Sequence, residues 1–252
     1  MKNILQYNKE IADFKAAIDI DPNDAKAHHN LGVTYAKQGK SDLAVEAYQA
    51  AIDIDPSYAK AHYNLGNAYG RQDKSDLAIE AYQAAIDIDP SYAKAHRNLG
   101  NAYGRQDKSD LAIEAYQAAI RINPSYAAAH HNLGIAYGRQ GKADLAIEVY
   151  QAAIRISPSY AAAHHSLGIA YGRQGKADLA IESFEKTISI NSDNAEVHYN
   201  LGIAYAKQGK ADLAIESFKK AISINPDLDS PELQRRIHSQ QTKEEYNSSV
   251  FT

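Results

Sequence analysis

Ten histidines are the residues of this sequence best suited to hold a metal or relay a proton. Six of them, His28, His62, His96, His130, His164 and His198, recur 34 residues apart. That spacing places one on each of several helices instead of gathering them at one point. Zinc takes imidazole nitrogens at ~2.0–2.1 Å, whereas packed helices lie ~8–10 Å apart. These six therefore read as packing histidines with one hydrogen-bonded edge. His130-His131 and His164-His165 are chain neighbours, pointing about 100° apart on a helix of 3.6 residues per turn, which is poor chelation geometry. Carboxylates recur in the same way, as Asp76 and Glu80 and their counterparts in each unit. An acid–base pair needs two carboxylates in unlike surroundings, and a solvated carboxylate repeated six times is the opposite case. Gly66 and Gly70 fall inside a helical pattern with no strand before them, so no phosphate loop is formed. With no cysteine there is no thiol nucleophile, disulfide or Cys-ligated metal. The expectation is a non-enzyme with no cofactor and no metal.

The elements that must position any functional residue come from the repetition itself. Six units begin at Ala25, Ala59, Ala93, Ala127, Ala161 and Ala195 and fill residues 25–228 as 25–58, 59–92, 93–126, 127–160, 161–194 and 195–228. Units 59–92 and 93–126 differ only at Tyr63/Arg97, Asp87/Arg121 and Asp89/Asn123. Each reads as two short helices. In the second unit Ala61, His62, Leu65, Gly66, Ala68 and Tyr69 share one side of the first helix. Leu77, Ala78, Ile79, Ala81, Tyr82, Ala85, Ile86 and Ile88 give the second a broader apolar surface. Ser57 and Ser91 are expected to cap first helices. Asp76 suits the first turn of a second helix, and Pro56 and Pro90 end the helix before them. A helix of ~13 residues is marginal alone, so the hairpins must stack to bury their apolar faces. Residues 1–24 match only the second half of a unit, with Phe14, Ala17, Ile18 and Pro22 in register. Ile11, Phe14 and Ile18 are then expected to lack a covering helix. Ser230-Pro231-Glu232-Leu233 opens a capping helix over 229–240, with Arg236 in the glycine place and Leu233 and Ile237 as its apolar pair. A polar, disordered tail is expected at 241–252.

These residues resemble the tetratricopeptide repeat (TPR) family. The carriers in the first unit are His28 at repeat position 4, Leu31-Gly32 at 7–8, Tyr35 at 11, Ala44 at 20, Tyr48 at 24, Ala51 at 27 and Pro56 at 32. His throughout at position 4, and Ser192 in the fifth proline place, depart from the pattern. The resemblance implies an all-α, right-handed α-solenoid of stacked helix-turn-helix units with a C-terminal capping helix. It also implies that first-helix positions 2, 5, 6, 9, 12 and 13, opposite the core side, line a concave groove for a protein or peptide ligand.

That stripe supplies the candidate peptide-binding residues. Position 6 carries Asn30, Asn64, Asn98, Asn132, Ser166 and Asn200. An amide both donates and accepts, so an asparagine row grips an extended backbone, or else each amide serves its own unit. Position 13 carries Lys37, Arg71, Arg105, Arg139, Arg173 and Lys207, a row that pairs with an acidic ligand or merely neutralises neighbouring Asp and Glu. Tyr63, Arg97, His131, His165 and Tyr199 stand at position 5, and Asn67 and Asn101 at position 9. The clamp with which some family members hold acidic chaperone termini is incomplete: Asn67 and Asn98 match it, but Tyr63, Ala128 and Asn132 do not.

Composition narrows the partners. Lys+Arg total 27 against 31 Asp+Glu, and neither half of the chain is basic, so no nucleic acid is expected. No run approaches the ~18 apolar residues of a spanning helix, which excludes helical membrane insertion and leads to the expectation of a cytoplasmic protein. The leading function is a binding module for peptide segments of other proteins. The alternatives are a homo-oligomeric scaffold assembled through the N-terminal half-repeat, and a regulatory region of a larger protein.

Overall fold

Two kinds of punctuation shape every repeat: a turn before each first helix, which reads Asp/Asn-Pro-Ser at three of the six, and a left-handed residue between the two helices. At the first, Asp55 Oδ1 accepts from Ser57 N–H at 3.0 Å and from Ser57 Oγ at 2.7 Å. The serine is thus spent inside the turn. Tyr58 and Tyr92 occupy the N-cap without a side-chain cap bond, which corrects the expectation for Ser57 and Ser91. Genuine side-chain caps stand where the turn departs from Pro-Ser-Tyr. Asp24 accepts from the N–H groups of Lys26 and Ala27, and Asn194 from that of Val197. At the second punctuation, position 15, Gly39, Gly141, Gly175 and Gly209 have φ of +73° to +76°. Asp73 and Asp107 hold the same place at φ +56°.

The computed structural model describes residues 4–250, with side chains to Thr242. The chain divides into two compact units, Met1–Ser125 and Tyr126–Thr252. The first holds α1 (Ile4–Ile20), α2 (Ala25–Lys37), α3 (Ser41–Ile54), α4 (Ala59–Arg71), α5 (Ser75–Ile88), α6 (Ala93–Arg105) and α7 (Ser109–Ile122). From α1 to α6 each packs on its successor, and α4 also touches α2 and α6. The second holds α8 (Ala127–Arg139), α9 (Ala143–Ile156), α10 (Ala161–Arg173), α11 (Ala177–Ile190), α12 (Ala195–Lys207) and α13 (Ala211–Ile224). A 3₁₀ turn (Pro226–Leu228) and α14 (Pro231–Val250) follow. Its packing is equally sequential, with α10 touching α8 and α12. Each unit is a stretch of all-α solenoid.

Small residues set the packing inside a hairpin. Ala44, Ala78, Ala112, Ala146, Ala180 and Ala214, at position 20, are exposed by 2% or less. Gly66 lies against the Tyr82 ring so closely that a Cβ there would sit 2.6 Å from Cε1. That contact, repeated by Gly168 on Phe184, lets the aromatic ring floor the hairpin. The position-4 histidines knit each turn to the next helix. Nε2 of His28, His62, His96, His164 and His198 lies 2.9–3.1 Å from the carbonyl six residues back. Position 14 ties neighbours together, as Gln72 Nε2 donates to Asp42 Oδ1 at 3.0 Å and Gln106 Nε2 to Asp76 Oδ1 at 2.7 Å. Two expected core residues differ: Leu77 and Ile88 are 39% and 37% exposed. They lie on the edge of the second helix that leaves the hairpin.

The ends carry charges where full repeats bury small residues. On α1, Glu10 and Asp13 take the places that Ala44 and Ala47 occupy in the first repeat. Ile11, Phe14 and Ile18 are not bare; they are half-buried against the first repeat's core, while Ile4, Leu5 and Ile20 are exposed. At the other end Ser230 Oγ caps α14 by accepting from Leu233 N–H at 3.2 Å, and Leu233 and Ile237 are buried. The 3₁₀ turn inserts two residues, so α14 aligns with a first helix two places later than the 34-residue count. His238, not Arg236, takes the glycine place. No helix breaker follows Pro231, and α14 continues past Gln240 to Val250. Of the tail placed at 241–252, the side chains from 243 onward and residues 251–252 altogether lie outside the described residues.

Candidate functional site

First helices of adjacent repeats touch each other as well as their own second helices, and this contact decides what the outward stripe can offer. Position 5 sits in the seam. His29 and His131 are each only 8% exposed. Asn64 Nδ2 donates to His29 Nε2 at 2.8 Å, and Tyr58 Oη lies 3.4 Å from His29 Nδ1. His131 meets Ser166 Oγ at 3.1 Å and Tyr160 Oη at 3.4 Å, and Asn200 Nδ2 donates to His165 Nε2 at 3.2 Å. Burial holds all three imidazoles below their usual 6.5, against the smaller opposing pull of Asn30 on His29, Asn132 on His131 and Glu196 on His165. Neutral rings of this kind accept an amide N–H at Nε2. Tyr63 and Tyr199 fill the same place with rings, Tyr63 stacking 4.9 Å from Tyr92 and Tyr199 5.8 Å from Phe218.

The asparagine row is drawn into the same seam. Asn98 is buried, and its Nδ2 donates to Asn67 Oδ1 at 2.7 Å and to Tyr63 Oη at 3.2 Å, while Arg97 Nη2 donates to Asn98 Oδ1 at 2.8 Å. Position 9 is reached from below: Tyr82 Oη donates to Asn67 Oδ1, and Tyr116 Oη to Asn101 Oδ1, each at 2.9 Å. Asn30 is exposed, and Asn132 and Asn200 are half-buried. The amides thus make bonds inside the array that the sequence left as one of two readings.

The basic row behaves differently. Arg71 Nη1 donates to the Ala36 carbonyl at 3.1 Å, Arg105 Nη1 to Gly70 at 2.8 Å, and Lys207 Nζ to Gly172 at 3.3 Å. Each reaches a carbonyl in the last turn of the preceding first helix, where a cation is favoured. One donor is spent there. Arg71, Arg105, Arg139, Arg173, Lys37 and Lys207 all stay exposed.

Between α10 and α12 lies a pocket of about 180 Å³, floored by Ile169, Ile203 and Phe184 and rimmed by Arg173, Asn200 and Lys207. Its apolar members were not among the expected site residues. Their signal is in the sequence, where position 9 changes from Asn67 and Asn101 to Ile135, Ile169 and Ile203, and position 24 from Tyr82 and Tyr116 to Phe184 and Phe218. Two larger clefts of about 760 and 740 Å³ repeat between second helices, over α10 and over α12. Among the described residues no cluster of three or more His, Asp or Glu is placed to hold a metal, and no helix is long and apolar enough to cross a membrane.

Comparison with known proteins agrees with this architecture. The TPR repeat model matches residues 6–39, 34–73 and 173–209, and two tetratricopeptide repeat models match 63–126 and 97–161 and 195–228. Among curated protein sequences none matches significantly. Of solved structures, MamA is similar at 33% identity over 64% of this chain and 95% of its own, with a TM-score of 0.60. PilF of Pseudomonas aeruginosa is similar at 20% identity over 85% and 97%, with a TM-score of 0.75. The Cut9 complex with Hcn1 is similar at 20% identity and a TM-score of 0.73 over 93% of this chain, which spans about half (46%) of that longer one.

Proposed function

The chain belongs to the tetratricopeptide repeat family, a fold of protein–protein interaction modules, and we propose that it holds acidic, extended segments of partner proteins against its first helices without catalysing a reaction. One observation carries this reading: Arg71, Arg105 and Lys207 are each anchored by a single bond and, like the rest of the position-13 row, remain exposed. A guanidinium has five N–H donors, so Arg71 and Arg105 keep most of theirs after capping the carbonyls of Ala36 and Gly70. Anchoring also removes much of the rotamer freedom that a long side chain would otherwise lose on binding. Among the described residues no carboxylate lies within ion-pair distance of either. The asparagine row takes the supporting part, fixing one first helix to the next so that the cations keep their spacing.

That spacing sets the ligand's periodicity. First helices packed ~10 Å apart, facing a chain that advances ~3.3 Å per residue, meet about every third side chain. In the first unit Lys37, Arg71 and Arg105 therefore suit carboxylates at i, i+3 and i+6.

The test is titration with the blocked peptide Ac-Glu-Ser-Ser-Glu-Ser-Ser-Glu-NH2 and its all-Gln counterpart at low and high salt. The acidic peptide is expected to bind more tightly, to weaken with salt, and to lose affinity to the R71Q/R105Q protein while helicity is retained. Equal binding of the two peptides would remove the reading.

A further inference from the structure

The pocket between α10 and α12 differs in kind from the polar seam of repeats two and three, and the difference comes from two positions changing together. In those repeats Tyr82 and Tyr116 send a hydroxyl to Asn67 and Asn101. In repeat five Phe184 has no hydroxyl and Ile169 no amide, and both atoms of the polar pair are gone at once. Losing either alone leaves a buried polar group without its partner. Losing both leaves a dry surface. Gly168 brings the Phe184 ring up to that surface, since a Cβ there would lie 2.6 Å from its Cε1. Gly172 and Gly175 put no side chain into the opening.

Resting on the reading that acidic segments bind the first helices, we propose that this pocket receives one phenylalanine-sized apolar side chain of such a segment. Size supports it: a cavity of roughly 150 Å³ lined by Leu, Ile and Phe accepts a benzene ring, and this pocket measures about 180 Å³. The rim supplies the charge complement. Arg173 and Lys207 flank the opening, and no carboxylate among the described residues lines it. Lys207 is anchored on the Gly172 carbonyl, and Arg173 is exposed with no hydrogen bond or ion pair among the described residues. The preferred ligand is therefore an apolar residue with acidic neighbours on both sides. The larger clefts between second helices lack this asymmetry: Arg155 and Lys186 face Glu182 and Glu185 in the first of them.

The chain itself provides the control variant. Ile169→Asn with Phe184→Tyr rebuilds the pair that repeats two and three already contain. Three blocked peptides serve as probes: Ac-Asp-Glu-Phe-Glu-Asp-NH2, the same with Ala at the centre, and the Phe peptide with its acids replaced by Asn and Gln. The full chain is expected to bind the acidic Phe peptide about tenfold more tightly than the Ala peptide. The double variant is expected to abolish that difference while still preferring acidic to neutral peptide. Equal binding of the acidic Phe and Ala peptides, or a preference for Phe that survives in the double variant, overturns the pocket and leaves the acidic reading standing. Loss of the acidic preference in the wild-type chain overturns the acidic reading instead. Should the double variant lose helicity, Ile203→Asn replaces it, with the same two outcomes.

Discussion

Tyr82 donates its hydroxyl hydrogen to Asn67 Oδ1 across 2.9 Å, joining the second helix of one repeat to the outward face of its first. Burial pushes the Tyr82 hydroxyl up to about 12, so it stays a protonated donor throughout the working range. Asn67 Oδ1 also accepts from Asn98 Nδ2 in the next repeat at 2.7 Å. One amide oxygen therefore couples two hairpins.

Removing that oxygen alone is expected to be costly. Asn67→Ile leaves the buried Tyr82 hydroxyl and the Asn98 amide each short of a partner, at about 1–3 kcal/mol. Asn67→Ile combined with Tyr82→Phe installs the pair already present as Ile169 and Phe184, and should recover much of the loss. Chemical denaturation of the two single variants and the double variant measures the coupling. Strictly additive losses would show that the bond contributes nothing specific.

The repeat length, hairpin boundaries and buried alanines were legible because they depend on local patterns repeated six times. Ala44, Gly66 and Leu233 stand where a 34-residue register and an N-cap rule put them. The stripe was harder to read. Periodicity on a single helix assigns His29 and Asn98 to the side opposite the hairpin core, yet both are buried. A first helix such as α4 packs on its own second helix, on the second helix before it and on the first helices to either side, and one-helix periodicity describes only the hairpin contact. The role of Arg71 was hidden for a related reason, since its partner is a backbone carbonyl 35 residues earlier. The pocket was readable only by comparing repeats, because Ile169 and Phe184 look like ordinary core choices until set beside Asn67 and Tyr82.

Stability should fall as pH drops below neutrality. His29, His131 and His165 are held under the ordinary 6.5, chiefly by burial. The unfolded chain takes up their protons near 6.5, while the folded chain resists until lower pH, so the unfolded state binds more protons in between. Their stabilisation is therefore whole above 6.5, declines as pH falls through that value, and levels off once the folded rings protonate. Thermal melts from pH 8 to pH 5 should show a falling Tm before carboxylates titrate near ~4.3. Replacing the three by Tyr, which Tyr63 and Tyr199 show the position accepts, should flatten the slope. A slope unchanged in that variant would assign the effect to other groups.

Position 15 offers the most direct gain in stability. Four repeats place Gly39, Gly141, Gly175 and Gly209 there in the left-handed region, and the two near-identical repeats place Asp73 and Asp107 there at φ +56°. An L-residue with a Cβ is strained in that conformation, Asp less than most but more than glycine. Glycine loses more backbone freedom on folding, which offsets part of the relief. Each of Asp73→Gly and Asp107→Gly is expected to stabilise by about 0.5–1 kcal/mol. Both side chains are exposed, and removing their charge leaves the hydrogen bonds of Gln72 and Gln106 to Asp42 and Asp76 intact. Urea denaturation of the single and double variants should show midpoints rising additively with an unchanged slope. The mirror-image exchange, Gly39→Asp, should lower the midpoint by a similar amount, and a neutral outcome in both directions would mean that the aspartate regains through its own contacts what it loses in backbone strain.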